Sequence, residues 1–402
     1  MNNISIVTRD ACCGCKVCAD VCNHKAISFA LDDEGFFMPK VDSDLCKNCG
    51  LCTKVCPSLN AGMRTKKDTC YATYAKDKEL LQQGSSGGMF GLLAREVLKE
   101  GGIVYGAAFD DDMKLKHTRA TNEQELMPIL KSKYLQSDCS GIYKQVKQDL
   151  KDGKTVLFSG TPCQCNAVSN YIGEKNERLI IVDVVCHGTP SQELFDRCNR
   201  DYEEKKGCKV KSFQFRYKGK GVKHPQSFKM TIEKNGRKKE IVGLHYQSPF
   251  YFGFQTYVTL RRSCYQCKQT IPERNSDITL ADFWGINKFN PQLRPNDGVS
   301  MIAPHTEKGV ALFEKVREAY DIYYEEVPYD FAVENNGNLK APTKKPARRD
   351  AFFRDLKEKD FEYVKQTYLK SKRQYIFDIY YAIPTPIRKM VRKLMENRMR
   401  YE

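Results

Sequence analysis

From residue 70 onward the chain alternates short apolar runs with stretches in which apolar side chains return every third or fourth position. Tyr71–Ala75, Ile103–Phe109, Thr155–Phe158 and Leu179–Val185 read as strands, the last two apolar enough to be covered on both faces. Met89–Lys99 sets Phe90, Leu93, Val97 and Leu98 on one helical face, and Gly141–Leu150 and Gln192–Lys205 read as further helices. Gln83–Gly88 (QGSSGG) is predicted to be a loop and Ser159–Gly160–Thr161–Pro162 a turn. Strands that alternate with helices predict a layered α/β domain. Lys209–Val242 departs from the alternation, with β-like runs such as Ser212–Tyr217 and a hairpin turn at Asn235–Gly236. Pro57–Asp68 is polar and rich in turn formers, so it reads as a linker out of a different N-terminal module.

Cysteines organise that N-terminal module. Cys12-x-x-Cys15-x-x-Cys18-x-x-x-Cys22 is repeated as Cys46-x-x-Cys49-x-x-Cys52-x-x-x-Cys56, followed by Pro57. This is the two-cluster bacterial ferredoxin spacing, in which the fourth cysteine of each run ligates the other run's 4Fe–4S cluster. Cluster I is then assigned to Cys12, Cys15, Cys18 and Cys56, and cluster II to Cys46, Cys49, Cys52 and Cys22. Zinc sites and a disulfide framework are the alternatives; zinc ribbons pair two CxxC units but do not need a third and fourth cysteine at this spacing in both halves. Asn23 stands where proline is usual, and Cys13 offers an alternative first ligand.

Composition narrows the setting. At 402 residues there is room for two or three domains. The eighteen cysteines would suggest disulfides in a small secreted protein, but Met1–Asp10 lacks the basic start and apolar core of a signal peptide. Free thiols and low-potential clusters fit a reducing, anaerobic cytoplasm. The longest apolar run, Leu179–Val185, is too short to cross a bilayer and is interrupted by Asp183. The net charge of +16 is concentrated toward the C-terminus, and no helix-turn-helix, zinc-finger or RNP-type signature directs it to nucleic acid. Lys340–Arg349 reads as a basic linker. Pro386–Tyr401 places Ile387, Met390, Val391, Leu394 and Met395 at helical spacing among basic residues. Such a helix suits an anionic membrane surface, its own domain or a partner.

Four cysteines beyond the linker have conspicuous settings: Cys163 in GTPCQ, Cys186 in VCHG, and Cys264 and Cys267 in RRSCYQC. Cys163 and Cys186 each follow a buried strand, the place where α/β sheets collect ligands. Spacing alone leaves a third cluster and inert core thiols both open. The ordered set GTPCQ, DVVCHG, RRSC-x-x-C and Ser276–Gly285 (SDITLADFWG) resembles the coenzyme F420 hydrogenase/dehydrogenase beta-subunit family over roughly Cys70 to Glu325. Relatives in that family include F420-dependent dehydrogenase subunits and chlorophyll-reducing enzymes of plants. The resemblance implies FAD beside a 4Fe–4S cluster held by Cys163, Cys186, Cys264 and Cys267. Ala281 stands where the family usually has glycine. Cys165 stands where an aliphatic residue is usual, as a competitor to Cys163.

Gly84–Gly88 precedes a helix, and Ser85, Ser86, Gly87 and Gly88 are assigned to a phosphate cradle for FAD. The same letters match a hydrolase elbow, but the preceding strand ends well before Ser86 and none of the six histidines has an evident triad context. Lys133 and Gln136 resemble a family segment near the flavin, against the alternative of an ordinary exposed loop. Asp282 and Trp284 are assigned to the flavin site, with core packing as the alternative. His187 is a candidate proton donor or partner of a cluster sulfur, and a structural histidine serves equally. Cys70, Cys139, Cys198 and Cys208 read as buried thiols.

The expected architecture is α+β or α/β: a ferredoxin domain at 1–60, a larger mixed α/β flavin and iron–sulfur domain at 70–330, and a basic helical tail at 340–402. The expected function is electron transfer between 4Fe–4S clusters and a two-electron acceptor through FAD, with an electron-carrier subunit lacking its own substrate site as the alternative. A third reading is a binding protein with structural clusters. The partner would be a redox protein or a small-molecule acceptor such as F420 or a sugar. The expected location is the cytoplasm, with the tail as a contact to the inner membrane face.

Overall fold

The computed structural model describes residues 2–173, 176–219, 226–294 and 298–371. The basic helix expected at Pro386–Tyr401 lies outside the described residues. Among the described residues no helix is long and apolar enough to cross a membrane.

The N-terminal module is a hairpin of β1 (Ile27–Leu31) and β2 (Phe37–Val41) with two short helices, Val17–Val21 and Leu51–Lys54. Its internal repeat extends to the backbone. Gly14 and Asn48 both take positive φ just before the second cysteine of a run, and Lys16 and Gly50 do so just after it. Left-handed residues coil each loop tightly around its thiols, and the Lys16 ammonium is paired with Asp138, 2.7 Å away.

Beyond the linker come β3 (Thr69–Ala75), β4 (Ile103–Phe109), β5 (Leu115–Ala120), β6 (Val156–Gly160) and β7 (Leu179–Val184). They are followed by β8 (Lys209–Phe215), β9 (Ser227–Lys234), β10 (Arg237–Leu244), β11 (Ile278–Asp282), β12 (Ser300–Pro304) and β13 (Ile322–Pro328). An eight-stranded sheet runs β13-β3-β12-β11-β7-β6-β4-β5. Its centre, β4, β6, β7 and β11, is parallel, and both flanks are antiparallel. Helices Met89–Lys99 and Glu307–Ala319 cover one face through Leu92, Leu93, Val97, Leu312 and Val316. Ile142–Lys151 and Pro162–Ile172 cover the other through Val146, Leu150, Ala167 and Val168, and the ferredoxin module packs Val17 and Val55 into the same cluster. Burial on both faces explains why the central strands read as continuous apolar runs.

The turn expected at Ser159–Pro162 is a strand running into a helix. Gly160 ends β6 and Pro162 starts the helix, with Thr161 as its cap and Gln164 closing a capping box. Proline at the first helical position and the Thr-x-x-Gln pattern favour that start. Lys78–Gln83 adds a helix, capped by Asp77, ahead of the glycine loop.

The three-stranded sheet β10-β9-β8 shares a second core with Gln192–Lys206, Pro249–Gln255 and the C-terminal helices Arg349–Glu358 and Phe361–Tyr368. The basic stretch expected to be a linker therefore ends in packed structure. Arg349 is fully buried and donates to Glu34 of the ferredoxin module at 2.8 and 2.5 Å and to the Leu260 carbonyl. Arg262 binds the same carboxylate at 2.6 Å.

Burial opposes ionisation of Glu34, but Arg349 and Arg262 outweigh it and hold its carboxyl below the ordinary range. A carboxyl depressed in the folded state adds stability above its unfolded range and loses it as pH falls through the folded value. Glu34→Gln leaves Arg349 buried without its counter-charge, at a cost of about 3–5 kcal/mol. Urea unfolding should show that loss at pH 7 and a smaller one at acid pH; equal loss at both would contradict the charge assignment.

Candidate functional site

Cys12, Cys18, Cys52 and Cys56 are buried together with Ile4 and Val7, and Cys15 lies beside Cys18 and Cys56. Cys22 and Cys46 are half-buried and Cys49 is exposed, so the cluster II set reaches the surface while the cluster I set is enclosed. Sulfurs assigned to cluster II receive donors: Cys22 from the Ala26 N–H at 3.4 Å and Cys46 from Asn3 at 3.6 Å. All eighteen cysteines are free thiols. Among the described residues no group of three or more His, Cys, Asp or Glu side chains converges on a single ion.

A second thiol site lies where β6 and β7 end. Cys163 sits in the first turn of Pro162–Ile172, Cys186 just past β7, and Cys264 and Cys267 on the 3₁₀ turn Arg262–Gln266 and directly after it. All four line a cavity of ≈ 130 Å³, together with Cys13. Donors are in place here too: the Gly188 N–H points to Cys186 Sγ at 3.3 Å and Thr161 Oγ1 lies 3.3 Å from Cys163 Sγ. A cavity ringed by sulfurs and fed by N–H and O–H groups fits a cluster better than a single ion. Cys165 does not compete: it is fully buried in the core with Sγ on the Val182 carbonyl. Cys70, Cys139, Cys198 and Cys208 are buried, and none lines this cavity.

Next to this cavity is a larger cleft of ≈ 260 Å³, bounded by the glycine loop, the ends of β7 and β11, and residues 129–135. Cys186, Thr161, Gly188 and Thr189 belong to both walls. Ser85, Ser86, Gly88, Lys133, Asp282, Trp284 and His187 line the cleft; Gly87 and Gln136 do not. Gly87 is pressed between β3 and β12: a Cβ there would meet the Thr73 carbonyl at 2.3 Å, and its N–H is bound by Ser300 Oγ at 2.8 Å. The Gly88 N–H is bound to the Ser85 carbonyl. Close packing of two strands, not approach of a phosphate, explains Gly87. Gln136 donates to the Cys13 carbonyl at 2.7 Å, at the seam with the ferredoxin module.

Lys133 commits its ammonium to the carbonyls of Pro128, Ile129 and Leu130 at 2.7–2.8 Å, tying down the cleft wall. Asp282 forms a two-pronged ion pair with Arg216. Burial opposes its charge, but Arg216 prevails and holds its carboxyl below the usual range. Arg216 itself went unnoticed in the sequence. It is 5 % exposed, takes a left-handed φ of 55°, and its buried Nε has no partner among the described residues. An orphaned guanidinium N–H in a cleft wall fits an acceptor on a ligand. His187 lies between Phe254 and Tyr257, and burial pushes its pKa down, so it is neutral at pH 7. Lys131 and Lys218 stand at the outer rim; burial pushes them down to about 8 and about 7.

Residues 11–60 match the 4Fe-4S dicluster domain, and residues 153–329 match the family described as the C terminus of the coenzyme F420 hydrogenase/dehydrogenase beta subunit. A coenzyme F420-dependent sulfite reductase of Methanocaldococcus jannaschii is 29 % identical over 170 residues, 40 % of this chain. This chain spans 25 % of that relative's length. The xenon-derivatised F420-reducing [NiFe] hydrogenase complex of Methanosarcina barkeri matches over 68 % of this chain and 90 % of that chain, at 17 % identity. Its TM-score is 0.43. Two separate matches thus frame the chain: residues 153–329 resemble the C terminus of the coenzyme F420 hydrogenase/dehydrogenase beta subunit, and residues 11–60 a 4Fe-4S dicluster domain.

Proposed function

We propose that the chain is an iron–sulfur flavoprotein oxidoreductase. FAD would occupy the cleft, and a third 4Fe–4S cluster the adjoining cavity, held by Cys163, Cys186, Cys264 and Cys267. The observation that carries this reading is the shared wall: Cys186, Thr161, Gly188 and Thr189 face both spaces. FAD exchanges single electrons with clusters and a hydride with a two-electron partner. The chain's own residues hold and orient it. Trp284, Phe254 and Tyr134 provide flat apolar surface, Arg216 offers its free N–H, and the neutral His187 can donate or accept one hydrogen bond without adding charge. Ser85 and Ser132, linked to each other, present hydroxyls to the same space.

Exposed Cys49 marks the face for a redox partner, since the cluster I thiols are buried. The functional units proposed are residues 1–60 for the two clusters and 70–330 for flavin and third cluster, with 340–371 packed against both. The matched relative is named for dependence on coenzyme F420, so F420 is the first two-electron partner to assay.

Anaerobic purification with iron, sulfide and flavin counted per chain is the test. About twelve irons and one FAD, with dithionite-reduced protein passing electrons on to F420, is the expected result. About eight irons and no flavin would favour an electron-carrier subunit instead.

A further inference from the structure

Leu130, Lys131, Ser132 and Lys133 line both the flavin cleft and a further cavity of ≈ 570 Å³ that the proposed electron transfer does not use. That volume is the size of a small-molecule pocket. Its charge is one-sided. Lys131, Lys133 and Lys218 line it with a single carboxylate, Glu79, which is exposed and accepts from Gln83 at 3.2 Å. Among the described residues none of the three ammoniums is paired with an acid. Lys133 donates to three backbone carbonyls, and Lys218 to those of Leu81 and Ser86. Lys131 has neither a hydrogen bond nor an ion pair among the described residues; its ammonium stands over the Tyr217 ring, 5.9 Å from the centroid. Lys229 lies 5.2 Å from the same ring and is already paired with Glu240.

Lys131 is also held against its backbone preference, with a left-handed φ of 69°. Strain of that kind collects at ligand clamps. The side chain is half-buried, and burial together with the Lys229 charge disfavours its ammonium. A half-buried cation with open N–H donors and no acid beside it gains a counter-charge and hydrogen bonds when an anion arrives. We propose that this outer cavity is a binding site for the anionic end, phosphate or carboxylate, of a small molecule, with Lys131 as its principal contact. Lys133 and Lys218 shape the wall and add positive potential, since their donors are already committed to carbonyls. The site is separate from the flavin's and stands whether or not the cleft holds FAD.

The test is calorimetric titration of the full chain, purified anaerobically at low salt, with inorganic pyrophosphate and with citrate. One-to-one binding of at least one of them is expected, and the better probe identifies the anion as phosphate or carboxylate. Lys131→Ala should weaken it roughly tenfold or more, the loss of one charge-assisted hydrogen bond, and Lys131→Glu should abolish it. Lys131→Arg should keep most of the affinity. Lys131→Gly relieves the left-handed backbone while removing the ammonium, so it should lose the anion yet unfold at a higher temperature. Iron and flavin per chain should be unchanged throughout. Absence of binding in the native chain, or equal affinity in the native, alanine and glutamate forms, would overturn the proposal. So would weak binding at many sites, as a net charge of +16 alone produces. Loss of FAD from a folded Lys131→Ala protein would assign the ammonium to the flavin's own diphosphate and end the case for a separate site. A native chain that purifies without flavin sinks the flavin assignment and leaves the anion titration to be read by itself, so the two failures are distinct.

Discussion

Replacing Cys264 and Cys267 together by serine is expected to remove about four of about twelve irons per chain while leaving the N-terminal cluster signals intact. The pair is the best probe of the internal site because both residues sit on one short segment, Arg262–Gln266 and the residue after it. Losing both removes half the proposed ligand set without touching β6 or β7, where Cys163 and Cys186 are anchored. The variant should still bind flavin, since neither residue lines the cleft. It should no longer pass electrons from dithionite-reduced N-terminal clusters to flavin at the native rate. Cys198→Ser, in the helix Gln192–Lys206 and away from both cavities, is the control and should change none of these readings. An iron count near eight in the native protein, unchanged by the double substitution, would reduce the chain to a two-cluster ferredoxin on a scaffold.

The internal site was legible in part because its parts are local. Buried strands ending at Gly160 and Val184 place Cys163 and Cys186 at sheet ends, and apolar runs reveal such strands. The N-terminal sets were clearer still, since their spacing is itself the geometry of ligation. What the sequence conceals is long-range pairing. Glu34 and Arg349 are separated by 315 positions, so nothing around KAPTKKPARR distinguishes a buried arginine from a solvated one. Gln136 was near the right place for the wrong reason: its segment borders the cleft through Lys133 and Tyr134, but its amide turns to the Cys13 carbonyl on the other side. Gly87 misled because a glycine required by strand packing and one required by a phosphate look alike in a sequence. Arg216 carried one weak signal, a lone arginine near the end of the β-like run Ser212–Tyr217.

Filling the cleft is expected to abolish flavin binding without loss of iron. Val184 is the position for this: it ends β7, lines the cleft and is 37 % exposed, unusual for a valine in a central strand. Its neighbours along the strand, Ile180 and Val182, are buried in the core, so the exposed surface at Val184 marks where the sheet end opens toward the cleft. Val184→Trp adds bulk at that opening. Overpacking costs of about 1–3 kcal/mol, charged against the bound flavin, correspond to a roughly 5- to 150-fold weaker affinity. The substituted protein should purify with about twelve irons and little or no FAD, and added FAD should bind weakly by fluorescence quenching. Gly87→Val is the informative contrast. With its Cβ 2.3 Å from the Thr73 carbonyl, it should lower the unfolding temperature and lose flavin and internal-cluster iron together, as a folding defect does. If Val184→Trp retained one FAD per chain at native affinity, the cleft beside Cys186 would not be the flavin site, and the glycine loop and Arg216 would need another explanation.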